Sequence, residues 1–353
     1  MAKRILVTGA GGPAAVCFMN AITDPDVEIH AADIDPFAPG LYLVPPDRRH
    51  LLLRGTHPQY VQKLLALCAE YGFAAVVPTV DSELLPIARA RSLFASMDVR
   101  VLIADEQTLL VTLDKWELVQ ACAFDVPTPK TRLCSERLVW DDPFPCVVKP
   151  RVGSGSHGVY VLSDQFALDA VMKNGKNIIQ EFLPGDEYSV DLYVGQSGAV
   201  HAVVPRLRLK VDSGVAITSR TVFDYELILN ACTVAQIINL RGVANVQFRR
   251  DPNGIPKLLE VNPRFAGTMS LTVKSGVNIP QMALDELFGI PPQPGIIPFQ
   301  EIGMVRTYRD TYVSATEIEA MVARQKRGSG DAVLSIANAQ SKVRPLPRVY
   351  AGS

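Results

Sequence analysis

Along the first hundred residues, short apolar runs alternate with stretches whose apolar positions recur every three or four residues. RILVTGA reads as a strand ended by Gly9, Gly11 and Gly12. PAAVCFMNAI follows at helical spacing, with Pro13 suited to a first helical turn. VEIHAADID is a second strand closing on Asp33 and Asp35, and YVQKLLALCAEYG is an amphipathic helix stopped by Gly72. FAAVVPTVD, SELLPIARARSLFAS and VRVLIA continue as strand, helix and strand. This alternation predicts a parallel sheet with helices on both faces.

Beyond TLLVTLDKWELVQACAF the pattern changes. PFPCVVKP and GVYVLSD are strands joined by the glycine-rich RVGSGSHG, a hairpin with a mobile loop. FALDAVMKNG is a short helix and NIIQEFLPG a strand and turn, and EYSVDLYVG and AVHAVVPRLRLK alternate as antiparallel strands. DYELILNACTVAQIINL is a helix, and VANVQFRRD, the turn DPNG and PKLLEVNPR form a further hairpin. The fold class is therefore α/β followed by α+β. The expected parts are a Rossmann-like domain over 1–110, a small lobe with the glycine loop over 111–182, a second lobe over 183–290 and an extension over 291–353. That extension starts proline-rich and ends polar and glycine-rich, and is expected to be peripheral or partly disordered.

A chain of 353 residues fits two or three domains. Lys and Arg (35) nearly cancel Asp and Glu (36), so no bulk field favours nucleic acid or an anionic membrane. The six cysteines, Cys17, Cys68, Cys122, Cys134, Cys146 and Cys232, form no C-x-x-C pair and read as reduced structural thiols. The N-terminus runs into a strand without a signal-peptide pattern, and no apolar run reaches the ~20 residues of a membrane helix. A soluble cytoplasmic protein is expected.

Two regions invite a chemical reading. TGAGGPA supports either a tight turn or a dinucleotide site: Gly9 and Gly11 fit G-x-G-x-x-G, position 14 is alanine, and Asp33 stands where a ribose-binding acid would. The tight turn is favoured. The middle of the chain is more specific. Lys149 ends an apolar strand, and Gly153, Ser154, Gly155, Ser156, His157 and Gly158 follow. This is no Walker A sequence, yet small residues can fold over a triphosphate and offer backbone N–H groups, with Lys149 as a point charge. After the strand IIQEF, the backbone around Glu181 and Leu183 can meet an adenine edge, and Glu187 can accept from ribose hydroxyls. Gln247, Glu260, Asn262 and Arg264 lie on one hairpin. Glu260 and Asn262 are two apart and share a face, which suits a hard cation carrying phosphates, and Arg264 continues that face. Arg206, Arg208 and Lys210 alternate onto one face of another hairpin, as a cationic contact to a phosphate or acidic substrate or as a solvated strand face. His157 is either an acid/base group or an exposed loop histidine.

DKWEL, VVKPRVGSGSHGV, QEFLPGDEYSVD and NVQF…LLEVNPR, in that order, resemble the ATP-grasp superfamily over about residues 111 to 290. They are most similar to the carbamoyl-phosphate synthase large subunit and its short single-module relatives. AADIDP and VVPTVDSEL resemble the preceding domain of those relatives. The resemblance implies that Lys115 and Lys149 bind phosphates under the glycine loop, that Glu181 and Leu183 read adenine, and that Glu187 holds ribose. It also implies Gln247, Glu260 and Asn262 as metal-side residues, with Arg264 steadying an acyl phosphate. Gln247 stands where many members carry an acid, which leaves the number of metals open. The implied cofactors are ATP and Mg²⁺, with Mn²⁺ as the alternative ion. The implied reaction joins a small carboxylate to an amine or related nucleophile, with no nucleic-acid or membrane partner and with a homodimer as one expected assembly. With no second synthetase module and no glutaminase, carbamoyl phosphate synthesis is not expected. Two other readings stand beside this one: a non-catalytic ATP-binding regulator, and an NAD-dependent oxidoreductase using the first glycine turn.

Overall fold

Five strands, β1 (Lys3–Thr8), β2 (Val27–Asp33), β3 (Arg49–Leu51), β4 (Ala75–Val77) and β5 (Arg100–Val101), make a parallel sheet in the order β3-β2-β1-β4-β5. The computed structural model describes residues 2–328 except 137, 154 and 156, so Ser154, Ser156 and the end of the C-terminal extension lie outside the described residues. Helices α1 (Pro13–Ala21), α2 (Tyr60–Tyr71), α3 (Asp81–Arg89) and α4 (Arg91–Ala95) connect or flank these strands. As expected, Gly72 closes α2 in the left-handed conformation (φ 63°), its N–H donating to Cys68 O. Two details differ from the sequence pattern. β3 is a three-residue strand too short to announce itself, and the helix expected over SELLPIARARSLFAS breaks at Ala90 into α3 and α4.

One core lies between this sheet and its helices, with Leu6, Leu64, Val76, Ile87 and Phe94 buried together. Strand order reverses on either side of β1. The loops after β1 and β4 therefore diverge at the carboxyl edge of the sheet and leave a crevice there.

Helices α5 (Glu106–Thr112) and α6 (Lys115–Cys122) lead into two antiparallel sheets. The smaller contains β6 (Thr131–Leu133), β7 (Cys146–Pro150), β8 (Tyr160–Leu162) and β9 (Asn177–Glu181), with the short helix α7 (Gln165–Asp169). The larger is built from β10 (Glu187–Val194), β11 (Val200–Asp212), β12 (Val215–Thr221), β13 (Gly242–Arg250) and β14 (Pro256–Asn262). Helix α8 (Tyr225–Ile237) packs on it with α5 and α6, joining Leu109, Leu118, Val190, Leu227 and Phe248 in one core. Helices α9 (Met269–Lys274) and α10 (Ile279–Leu287) follow.

The extension is not wholly peripheral. β15 (Gly303–Val305) pairs antiparallel with β12 and makes the sixth strand of the larger sheet. A second compact unit begins at Tyr312, and its described part is helix α11 (Ala315–Gly328), where Ser314 Oγ accepts the Glu317 N–H at 3.2 Å.

Candidate functional site

A cleft of about 530 Å³ opens where the three sheets meet. The parallel sheet contributes the loops around Gly12 and Asp81, the small sheet Val147 and Lys149, and the large sheet Glu187, Arg208, Gln247, Glu260 and Asn262. Gly153, Gly155 and His157 of the glycine loop also line it.

Two lysines mark one end. Lys115 is the first residue of α6, whose N-cap Asp114 accepts the Trp116 N–H at 2.9 Å. Arg151 grips both oxygens of Asp114, tying the start of this helix to the end of β7. Lys115 Nζ donates to Gly153 O at 2.7 Å and lies 3.5 Å from Glu260 Oε2. Lys149 reaches Leu259 O at 3.4 Å from the opposite strand. Burial pushes the Lys149 ammonium down to about 8; neighbouring Lys115 adds to this, and Glu260 and Glu187 oppose it. Two buried ammonium groups beside a loop with Gly153, Gly155 and Gly158 at positive φ form an electropositive pocket suited to a polyanion. A Cβ on Gly214, in the β11–β12 turn, would lie only 3.3 Å from Gly155 Cα, so the loop rests against that turn.

The expected hairpin β13–β14 is present, and a register shift between Gln247 and Phe248 sets Gln247 opposite Glu260 and Asn245 opposite Asn262. Glu260 Oε1 accepts from Asn262 Nδ2 at 3.2 Å, and Gln247 Oε1 accepts from Arg208 Nη1 at 3.2 Å. Among the described residues no three His, Cys, Asp or Glu side chains converge as a self-sufficient metal site. One carboxylate flanked by two carboxamides nevertheless fits a magnesium ion that takes most of its oxygens from phosphates and water.

Two of the three predicted cations on β11 need correction. Arg206 is buried and bonded to both oxygens of Asp191 at 2.9 and 2.7 Å, and Asp191 also accepts from Asn245 and Thr272. Its charge is spent on holding β10, β11, β13 and α9 together, although it borders the cleft. Lys210 is exposed and does not border the cleft. The strict alternation that put it beside Arg208 is broken by register irregularities at Arg208/Lys210 and Lys210/Val211, which bring Val211 to the cleft instead. Arg208 does face inward, pairing with Glu187 at 2.7 Å and donating to Gly214 O at 2.9 Å.

Val147, Val159 and Val161 give the cleft an apolar lining, together with Phe182 and Leu183. Glu181 accepts from Lys257 Nζ at 2.5 Å and from the Lys130 N–H at 2.9 Å, so its carboxylate is held in place. Glu187 lies between Arg208 and Arg249, the latter at 3.9 Å.

The first glycine turn folds on itself. Gly11 N–H and Asp35 N–H donate to the two oxygens of Asp33, and a Cβ on Gly9 would come within 2.3 Å of Val80. Both features belong to a tight turn against the loop after β4. What the sequence pattern missed is Asp81. It opens α3 and holds Arg264 in a two-point ion pair at 2.7 and 2.9 Å. An acid a few residues after the parallel strand β4 was the available signal. Two residues on, Glu83 is buried against Thr8, and burial pushes its carboxyl up to about 7.

Residues 5–102 match the family described as PylC-like, N-terminal domain, and residues 173–311 match ATP-grasp in the biosynthetic pathway with Ter operon. No curated protein matches the chain in sequence. Among solved structures, the biotin carboxylase domain of 2-oxoglutarate carboxylase from Hydrogenobacter thermophilus, in complex with MgADP, ADP and bicarbonate, is similar. It superposes with a TM-score of 0.67 at 14% identity, over 84% of this chain and 71% of that one. The ADP complex of purK, N5-carboxyaminoimidazole ribonucleotide synthetase, gives 0.64 at 17% over 82% and 78%. The L-amino acid ligase from Bacillus licheniformis gives 0.62 at 17% over 81% and 74%. The two domain matches, one of them to an ATP-grasp family over residues 173–311, agree with the sheet architecture, and the fold is shared with these structures.

Proposed function

We propose that this protein is an ATP-dependent ligase that activates a carboxylate as an acyl phosphate and passes the acyl group to an amine or related nucleophile. The observation that carries the reading is the convergence of Lys115, Lys149, Glu187, Glu260, Asn262 and Arg264 on one cleft roofed by a glycine loop. MgADP and ADP in the similar solved structures support the nucleotide. Adenine would lie against the valine lining and the backbone of residues 181–183, ribose at Glu187, and the phosphates between Lys115 and Lys149. Glu260 and Asn262, with Gln247 beside them, would hold Mg²⁺, which supplies charge neutralisation on the phosphates. Mn²⁺ suits the same oxygen donors.

A substrate carboxylate oxygen attacks the γ-phosphorus, and the bond from that phosphorus to the β–γ bridging oxygen breaks to release ADP. The nucleophile then adds to the acyl carbon, the carbon–oxygen bond to phosphate breaks, and the nitrogen loses a proton. Lys149 and Arg264 stabilise the charge in transfer, and no side chain need form a covalent bond.

Hydroxylamine offers a general test, because it intercepts an acyl phosphate as a hydroxamate. With MgATP and a panel of carboxylates, at least one acid is expected to yield hydroxamate and ADP in equal amounts. A thermal shift with NAD(H) and none with MgATP would overturn the reading.

A further inference from the structure

Resting on that ligase reading, we infer that the activated carboxylate belongs to an α-amino acid, recognised as a zwitterion by the Arg264–Asp81 pair. These residues come from different parts of the chain. Arg264 follows β14, and Asp81 begins α3 after the parallel strand β4. Their side chains are in direct contact yet only partly covered, 18% and 20% exposed, and both border the cleft beyond the metal-side residues Glu260 and Asn262.

The contact offers a positive and a negative group side by side. An α-amino acid carries the opposite arrangement on two adjacent carbons, so it can lay its carboxylate against Arg264 and its ammonium against Asp81 at once. Arg264 is not exhausted by Asp81. Its Nη1 donates to Phe265 O at 3.1 Å and keeps a second hydrogen for which no acceptor is present among the described residues. Close by, the nine-residue helix α1 starts at the cleft with Gly12 as N-cap and no side-chain cap, and Ala14 in its first turn borders the cleft, so that its N–H can meet a carboxylate oxygen. Gly267, where a Cβ would meet Pro13 at 2.8 Å, keeps the residues after Arg264 pressed against this helix start.

The same geometry disfavours a simple acid or bicarbonate. Either could meet Arg264, but each would bring a second negative charge toward Asp81 with no cation to answer it. Asp81 is thus a specificity residue that admits carboxylates bearing an adjacent ammonium.

The test compares each proteinogenic α-amino acid, in L and D forms, with its des-amino partner (alanine with propanoate, for example) and with bicarbonate. ADP and hydroxamate are measured with MgATP and hydroxylamine, and MgATP binding is followed separately by thermal shift. At least one amino acid should exceed its des-amino partner and bicarbonate by about tenfold or more in kcat/KM. In Asp81→Asn the amino acid should lose most of that advantage through a higher KM, and the des-amino partner should improve. The MgATP shift should not change. A residue that merely braced Arg264 would weaken both acids alike. Equal or better use of des-amino acids or bicarbonate by the wild-type protein overturns the inference and leaves the ligase reading intact. So does an unchanged preference in a folded Asp81→Asn variant. If that variant does not fold, the wild-type preference decides alone. Absence of both MgATP binding and product with every acid overturns the ligase reading as well.

Discussion

The two antiparallel sheets that face each other across the cleft are built in opposite ways. In the larger one, seven of the eight residues of β10 are buried, and a buried Asp191–Arg206 pair is saturated by Asn245 and Thr272. In the smaller one, Tyr160 and Val161 of β8 are 63% and 59% exposed, and its core is the small group around Cys134, Trp140, Cys146, Val148 and Ile179. On the proposed ligase reading the difference assigns two jobs. Glu260, Asn262 and Arg264, which would hold a fixed distance during phosphoryl transfer, stand on or just beyond the stiff sheet. Lys149 and the glycine loop, which would cover the nucleotide, stand on the sheet with fewer packing partners, where local opening costs least.

The largest effect should come from disturbing chemistry on the stiff side. Glu260→Ala is expected to lower turnover by roughly a thousandfold, since charge stabilisation by the metal acts mainly in the transition state. Arg264→Ala should fall in the same class while MgATP binding is nearly unchanged. Steady-state kinetics with a nucleotide titration separates these effects, and near-normal turnover in Glu260→Ala would return the hairpin to a plain salt-bridged strand face.

Stiffness itself can be broken next. Asp191→Ala leaves the buried Arg206 guanidinium without its counter-charge and is expected to cost roughly 3–5 kcal/mol of stability. Denaturant melts would show it. Little change would mean that the larger sheet does not depend on this cluster, and the contrast between the walls would weaken.

Lys149 tests the covering side through pH. Its ammonium is held down to about 8, so the free protein carries the charge below that pH and loses it above. Bound phosphates favour the charged form. MgATP affinity should therefore be full below pH 8 and decline above it, by up to about tenfold per pH unit until the bound-state value is reached. Lys149→Arg should flatten the profile because guanidinium stays charged. Titrations from pH 7 to 9.5 decide, and a flat wild-type profile would remove Lys149 from the phosphate site.

The smallest expected effect is in backbone exchange. The amides of Gly153, Gly155 and Gly158 should exchange at least several-fold more slowly once MgATP is bound, while those of β10 should barely change. Equal protection with and without nucleotide would argue that both walls are rigid.

The sequence by itself determined most of the longer elements and which strands form hairpins, though not β3, β15 or the break at Ala90. Alternating apolar positions separated β10 to β14 from the helical N-terminal pattern. A spacing of two placed Glu260 and Asn262 on one face, as the observed register has them. These are short-range consequences of strand and helix periodicity, readable without knowing what packs on what. Three things were decided only by tertiary structure. The irregular register near Lys210 removes it from the cleft, and a bulge follows from how neighbouring strands twist rather than from any residue type. Arg206, which the strand pattern presents like Arg208, is consumed by Asp191 because four elements converge there. The pairing of Arg264 with Asp81, 183 residues apart, exists only because the reversal of strand order brings the loop after β4 to the end of β14. Periodicity specifies which residues share a face. Which charge meets which depends on the packing of distant elements, as the Arg264–Asp81 contact shows.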